Sequence, residues 1–77
     1  MNAPDLLDAR GLLCPLPVLK ARKRLQSLLP GGLLQMLADD PAAVIDVPHF
    51  CAENGHTLVE TRTQGDAQLY VIAKATA

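Results

Sequence analysis

The sequence predicts an α+β domain (α/β in the broad sense): a two-layer sandwich with two helices on one face of a mixed four-stranded sheet. Three observations lead there. The chain has 77 residues, enough for one domain, so 1–77 is read as a single unit. Hydrophobic periodicity gives the order strand, helix, strand, helix, strand, strand. Two strand-helix-strand units imply parallel pairing through crossovers, while the last two strands are close enough for an antiparallel hairpin. Two helices in so short a chain cannot cover both faces of the sheet.

Each element has a local reason. Leu6 to Ala9 is a short apolar stretch stopped by Gly11, and reads as the first strand. Pro15 and Pro17 open a helix, because proline is tolerated where the amide it lacks would have no partner. Val18, Ala21, Leu25, Leu28 and Leu29 recur at helical spacing and predict its buried stripe; Pro30-Gly31-Gly32 ends it. Leu33 to Ala38 alternates, with Leu34, Met36 and Ala38 on one face. Asp40-Pro41 reads as a second helix start with Asp40 as cap. Val44, Val47 and Cys51 form that helix's expected stripe, with Ile45, Pro48 and Ala52 beside it. Pro48 should kink or divide the helix, and Asn54-Gly55 should end it. His56 to Thr63 and Gln68 to Lys74 are strands rich in Thr, Val and Ile around a turn at Gln64 to Ala67.

Composition removes several function classes. Net charge is −1, so no broad field attracts nucleic acid or membrane. With no Trp, one Phe and one Tyr, the chain lacks stacking platforms for single-stranded nucleic acid. The first residues, Met1 to Asp5, lack the pattern of a secretory signal. No apolar run approaches the roughly 18 residues of a membrane span. Two cysteines do not make a secreted disulfide framework, so a cytoplasmic protein with reduced thiols is expected.

The segment Leu7 to Pro17 carries most of the chemistry. With Pro15 as the first helical residue, Cys14 takes the cap position, near free amides and the positive end of the helix dipole. Both would favour thiolate, the nucleophilic form. Arg10 and Lys20 could add to this. The prolines remove amide donors from the first turn, so their stronger role is rigidity: they hold Cys14 on a stiff corner, and Gly11 allows a tight turn before it. Free cysteines are commonly buried. A cysteine between Gly11 and a Pro-x-Pro turn is the exception, whereas Cys51, in the apolar stripe of the second helix, follows the rule.

Cys14-Pro15-Leu16-Pro17, preceded by Leu7-Asp8 and Gly11, resembles the Cys-Pro-x-Pro signature of the TusA/SirA-like sulfur-carrier proteins. The resemblance extends from about Leu7 to Lys74. It includes Pro30-Gly31, Ala38 to Ala42, and Asp46-x-Pro48-x-Phe50-Cys51, which are similar to the TusA branch. It implies a sulfurtransferase whose catalytic Cys14, supported by Gly11, Pro15 and Pro17, accepts sulfane sulfur as a persulfide from a cysteine desulfurase. The sulfur then passes to a downstream relay protein, toward 2-thiolation of tRNA wobble uridine. Related members serve molybdenum cofactor synthesis or sulfur oxidation. Position sixteen is often acidic in the tRNA-thiolation members; here it is Leu16, which leaves the partner open.

Other residues have lesser candidacies. Lys20, Arg22, Lys23 and Arg24 are a solvated helix face or a docking surface, and Arg22 resembles a family docking position. Arg10 and Asp40 are further docking candidates, and Asp39 is a docking residue or a strand end. His49 and His56 have no metal-ligand spacing to the cysteines, so no metal or other cofactor is expected. The expected partners are proteins, with tRNA met only indirectly, no membrane, and a monomeric carrier. Two rivals remain. One is a regulatory or RNA-binding module using the basic helix. The other is a thiol-disulfide oxidoreductase using Cys14 and Cys51, for which no paired-cysteine motif is present.

Overall fold

The alternation predicted for residues 33–38 places one strand at the centre of the molecule. In the computed structural model, which describes residues 5–76, Leu34, Met36 and Ala38 of β2 (Leu33–Ala38) are fully buried on one face. Around it stand β1 (Asp5–Asp8), α1 (Leu16–Gln26), α2 (Ala43–Asn54), β3 (Thr57–Gln64) and β4 (Ala67–Ala73). Residues 1–4 of the expected signal-free start lie outside the described residues. The element order and the mixed four-stranded sheet are those predicted.

The sheet order is β1-β2-β4-β3. β1 runs parallel to β2, with Leu7 opposite Met36, because α1 forms the crossover between them. β4 runs antiparallel to both β2 and β3, with Tyr70 opposite Met36. Tyr70 and Ile72 of β4 join Leu34 and Met36 beneath the helices in one core. A smaller apolar cluster, Leu37, Ala67, Leu69 and Val71, lies on the other face and contains no helical residue. Both helices therefore lie on one face.

α1 is shorter than its apolar pattern. It ends at Gln26, where the Ser27 backbone N–H and hydroxyl both donate to the Arg24 carbonyl. Ala21 and Leu25 are buried as expected, but Leu29, beyond the helix end, is 81% exposed. Lys74 is one reason the early ending is tolerated: its ammonium donates to the carbonyl of Gln26, the last helical residue, and to that of Leu28 just beyond it.

α2 differs from its prediction in three respects. It begins at Ala43, with Ala42 as the flanking residue; Asp40 instead caps the preceding turn, accepting from the Ala42 N–H at 3.2 Å. Its buried face is Ala43, Val47, Phe50 and Cys51, and Val44 is 55% exposed. Small Ala43 and large Phe50 fill the positions that the stripe through Val44 leaves out. Pro48 also does not divide the helix, because it faces solvent, where water can reach the Val44 carbonyl deprived of its donor. Gly55 ends α2 with φ 74°, the left-handed conformation that glycine adopts without a Cβ penalty.

Candidate functional site

The site begins where β1 runs out. Ala9 extends the ladder by donating its N–H to the Leu37 carbonyl at 2.8 Å, and the chain then leaves the sheet. The Arg10 guanidinium folds back onto Asp8, with Nε 2.9 Å from Oδ1 and a terminal nitrogen 2.8 Å from Oδ2. These contacts hold the Asp8 carboxyl down at about 2. Gly11 turns the chain at φ 81°, which residues with a Cβ rarely adopt.

Two adjacent carboxylates at the end of β2 then fix the loop. The Gly11 N–H donates to Asp39 Oδ1 at 2.9 Å, and the Cys14 N–H donates to Asp40 Oδ2 in a short contact. One strand end thus holds the cysteine loop at two points, a job done by residues expected to be a helix cap and a docking residue or strand end. The Cys14–Pro15 peptide is cis, Pro15 flanks the helix and Leu16 is its first residue. Pro17 lies buried in the first turn. Cys14 therefore stands before the cap position instead of in it.

That displacement changes the electrostatics. The Cys14 thiol donates to Asp46 Oδ2 across 2.9 Å, from the loop to the first turn of α2. This hydrogen bond is the main reason the thiol is pushed above its ordinary value; desolvation and the charges of Asp46 and Asp40 add to it. The sequence argument expected thiolate stabilisation by the helix start. The structure supplies a carboxylate partner instead, which favours the thiol. The sequence offered Asp46 within the Asp46-x-Pro48-x-Phe50-Cys51 resemblance but gave it no role at Cys14, since 32 positions separate the two.

Cys14 is exposed and Cys51 is buried. Burial pushes the Cys51 thiol up to about 11. From Cys14 a groove of about 370 Å³ runs between the helices, with Val18, Leu19 and Arg22 on the α1 side and Asp46, His49 and Phe50 on the α2 side. Further along, His49 Nε2 contacts Glu53 at 3.0 Å.

The expected docking residues separate here. Arg22 shares the groove with Cys14, and Asp40 holds the Cys14 backbone. Arg10 is engaged with Asp8. Lys20 and Lys23 lie on the opposite flank of α1, beside Leu7 and Arg24. Arg24 itself pairs with Asp5 at 3.0 Å. Next to Cys14, Leu13 is 70% exposed, and Leu16 and Leu19 are also exposed. The surface around the thiol is thus largely apolar, with Arg22, His49 and the carboxylates of Asp46 and Glu53 set into the groove beside it.

Comparison with known proteins places this arrangement. The family model described as sulfurtransferase TusA matches residues 6–74, nearly the whole chain. The chain belongs to the TusA family. It is 45% identical over 69 residues to the sulfur carrier protein TusA of Pseudomonas paraeruginosa, covering 90% of this chain and 87% of that protein. The TusA of Pseudomonas aeruginosa matches equally. Among solved structures, a SirA-like protein from Desulfitobacterium hafniense superposes with a TM-score of 0.80 at 25% identity, covering 91% of this chain and 96% of that one. The TusA/SirA-like resemblance carried by Cys14-Pro15-Leu16-Pro17 is thereby established, together with the fold it implied. Among the described residues no helix is long and apolar enough to cross a membrane.

Proposed function

We propose that this protein is a sulfur-relay carrier that accepts sulfane sulfur as a persulfide on Cys14 and passes it to an acceptor protein. The observation that carries the reading is the contrast between its two thiols. Cys14 is exposed at the mouth of a groove on a loop clamped by Asp39 and Asp40, whereas Cys51 is sealed in the core. Membership of the TusA family supplies the cargo.

The reaction needs no cofactor. Cys14 sulfur attacks the terminal sulfur of a donor persulfide; the new S–S bond forms as the donor's S–S bond breaks, and the donor sulfur departs as a thiolate. The proton lost by Cys14 balances the proton gained by that leaving group. In the second half, an acceptor thiolate attacks the sulfane sulfur and Cys14 leaves. A cysteine desulfurase is the proposed donor, and the proposed destination is tRNA wobble-uridine 2-thiolation in the cytoplasm, with the carrier acting as a monomer. Molybdenum cofactor synthesis or sulfur oxidation would use the same chemistry, and Leu16 is the residue that bears on this choice.

Incubation with a cysteine desulfurase and cysteine should add the mass of one sulfur atom. Cys14→Ser should abolish the gain and Cys51→Ser should leave it. A gain that needs Cys51 and not Cys14 would overturn the assignment. Loss of wobble-uridine thiolation on deleting the gene would support the destination, and unaltered thiolation would move it to another sulfur acceptor.

A further inference from the structure

Asp46 has no place in the sulfur exchange as written, yet its carboxylate is the side chain that touches the reacting atom. We infer that Asp46 is a positioning residue that holds the unloaded Cys14 as a thiol in the inter-helix groove and releases it once sulfur is aboard. This rests on Cys14 being the carrier thiol.

The argument is one of hydrogen-bond chemistry. The 2.9 Å contact from Sγ to Asp46 Oδ2 needs a proton on Sγ, since a carboxylate only accepts. Unloaded Cys14 has that proton. In the persulfide, Sγ is bonded to carbon and to the second sulfur, and any remaining proton sits on the terminal atom. The contact to Asp46 then sets sulfur lone pairs against a carboxylate, and its attraction is gone. The terminal sulfur also stands about 2 Å beyond Sγ, the length of an S–S bond. Asp46 therefore distinguishes the two states of the carrier without moving. The empty form is held and kept weakly reactive toward stray oxidants, and the loaded form swings free to meet an acceptor.

The surroundings reinforce this bias. Asp40, from the connection before α2, brings a second carboxylate to the Cys14 backbone. On α2, His49 and Glu53 engage each other further along the groove. Arg10, the nearest cation in the loop sequence, is paired with Asp8. Arg22 on α1 lines the groove and, among the described residues, forms no ion pair that would draw it to Asp46. No cation in these contacts offsets the two carboxylates at Cys14.

The test uses the full chain and a neutral aromatic disulfide as thiol probe, with reaction rate followed against pH and the modified residue confirmed by mass. Wild-type Cys14 should show an apparent pKa above that of a free cysteine, and Asp46→Asn should move the profile to lower pH. Each unit of that movement raises the thiolate fraction at pH 7 about tenfold, while the accompanying fall in nucleophilicity takes back about threefold, leaving a net gain of about threefold. Asp46→Glu should restore part of the wild-type profile, and Asp66→Asn, in the β3–β4 turn, should leave it unchanged. A wild-type pKa at or below the free-thiol value would overturn the inference without any variant, and so would an Asp46→Asn profile that superimposes on wild type. After chemical loading with inorganic polysulfide, Asp46→Asn should leave the persulfide's rate unaltered; an equal acceleration of both forms would overturn the release step. Neither arm uses a desulfurase, so failure here is distinguishable from failure of the relay reading.

Discussion

Cys51 allows a sharp separation of the two thiols. It lies 2% exposed on the inner face of α2, in the same buried cluster as Val47 and Phe50, and burial pushes it to about 11. At pH 8 that leaves roughly one molecule in a thousand as thiolate by ionisation alone. Access lowers the rate further, because a reagent must wait for the helix to open. A domain of this size has a stability of about 4–12 kcal/mol, so globally open molecules are at most on the order of one in a thousand. The native protein treated briefly with an alkylating agent at pH 8 should therefore gain one adduct, on Cys14, and a second only in concentrated guanidinium. Time-resolved intact mass measurement decides it. Two adducts forming at similar rates without denaturant would refute the burial argument, and would reopen the reading of Cys14 and Cys51 as a redox pair.

Two further perturbations probe the scaffold. His56 Nδ1 accepts the Ala75 N–H at 2.9 Å, and its ring value is lowered by burial first and the charge of Lys74 second. A lowered folded value means that the unfolded chain binds the proton more readily, so this contribution is fully present above about pH 6.5 and lost as pH falls through the folded value. The urea midpoint should fall between pH 7 and 5, and His56→Gln should remove most of that fall; an unchanged slope in the variant would refute the assignment. Asp8, held at about 2, keeps its ordinary-to-folded window well below this range. Leu25→Ala removes a side chain 1% exposed in the core beneath α1 and should cost about 2–5 kcal/mol, lowering the melting temperature by ~10 °C or more. A calorimetric shift of only a degree or two would mean that α1 is not packed as described.

The fold was largely legible because its signals are local. Alternation in 33–38, the Gly55 stop and the turn expected at Gln64 to Ala67, which tightens to Gly65-Asp66 between β3 and β4, each depend on close neighbours in the chain. The errors came where a local pattern had two solutions. The stripe through Val44 and the one through Ala43 and Phe50 both satisfy helical spacing, and only the sheet beneath decides between them. Leu28 and Leu29 continue the α1 pattern, but Ser27 and Lys74 take over the last carbonyls before the pattern ends.

The site divides along the same line, with a functional consequence. Gly11, Cys14 and the prolines were readable because they adjoin one another. The three carboxylate contacts that govern them span 28, 26 and 32 residues, so no local spacing could reveal them. Local reasoning put the thiol in the cap position, which it in fact precedes, and assigned it the wrong sign of electrostatic bias, because a helix start was visible and the contact from Asp46 was not. On the inference that Asp46 holds the empty thiol, reactivity at Cys14 is withheld rather than built in. A carrier that meets its donor only in a complex has reason to keep its empty thiol protonated between encounters. The rigid Gly11-to-Pro17 loop then supplies reach, and the carboxylates supply restraint.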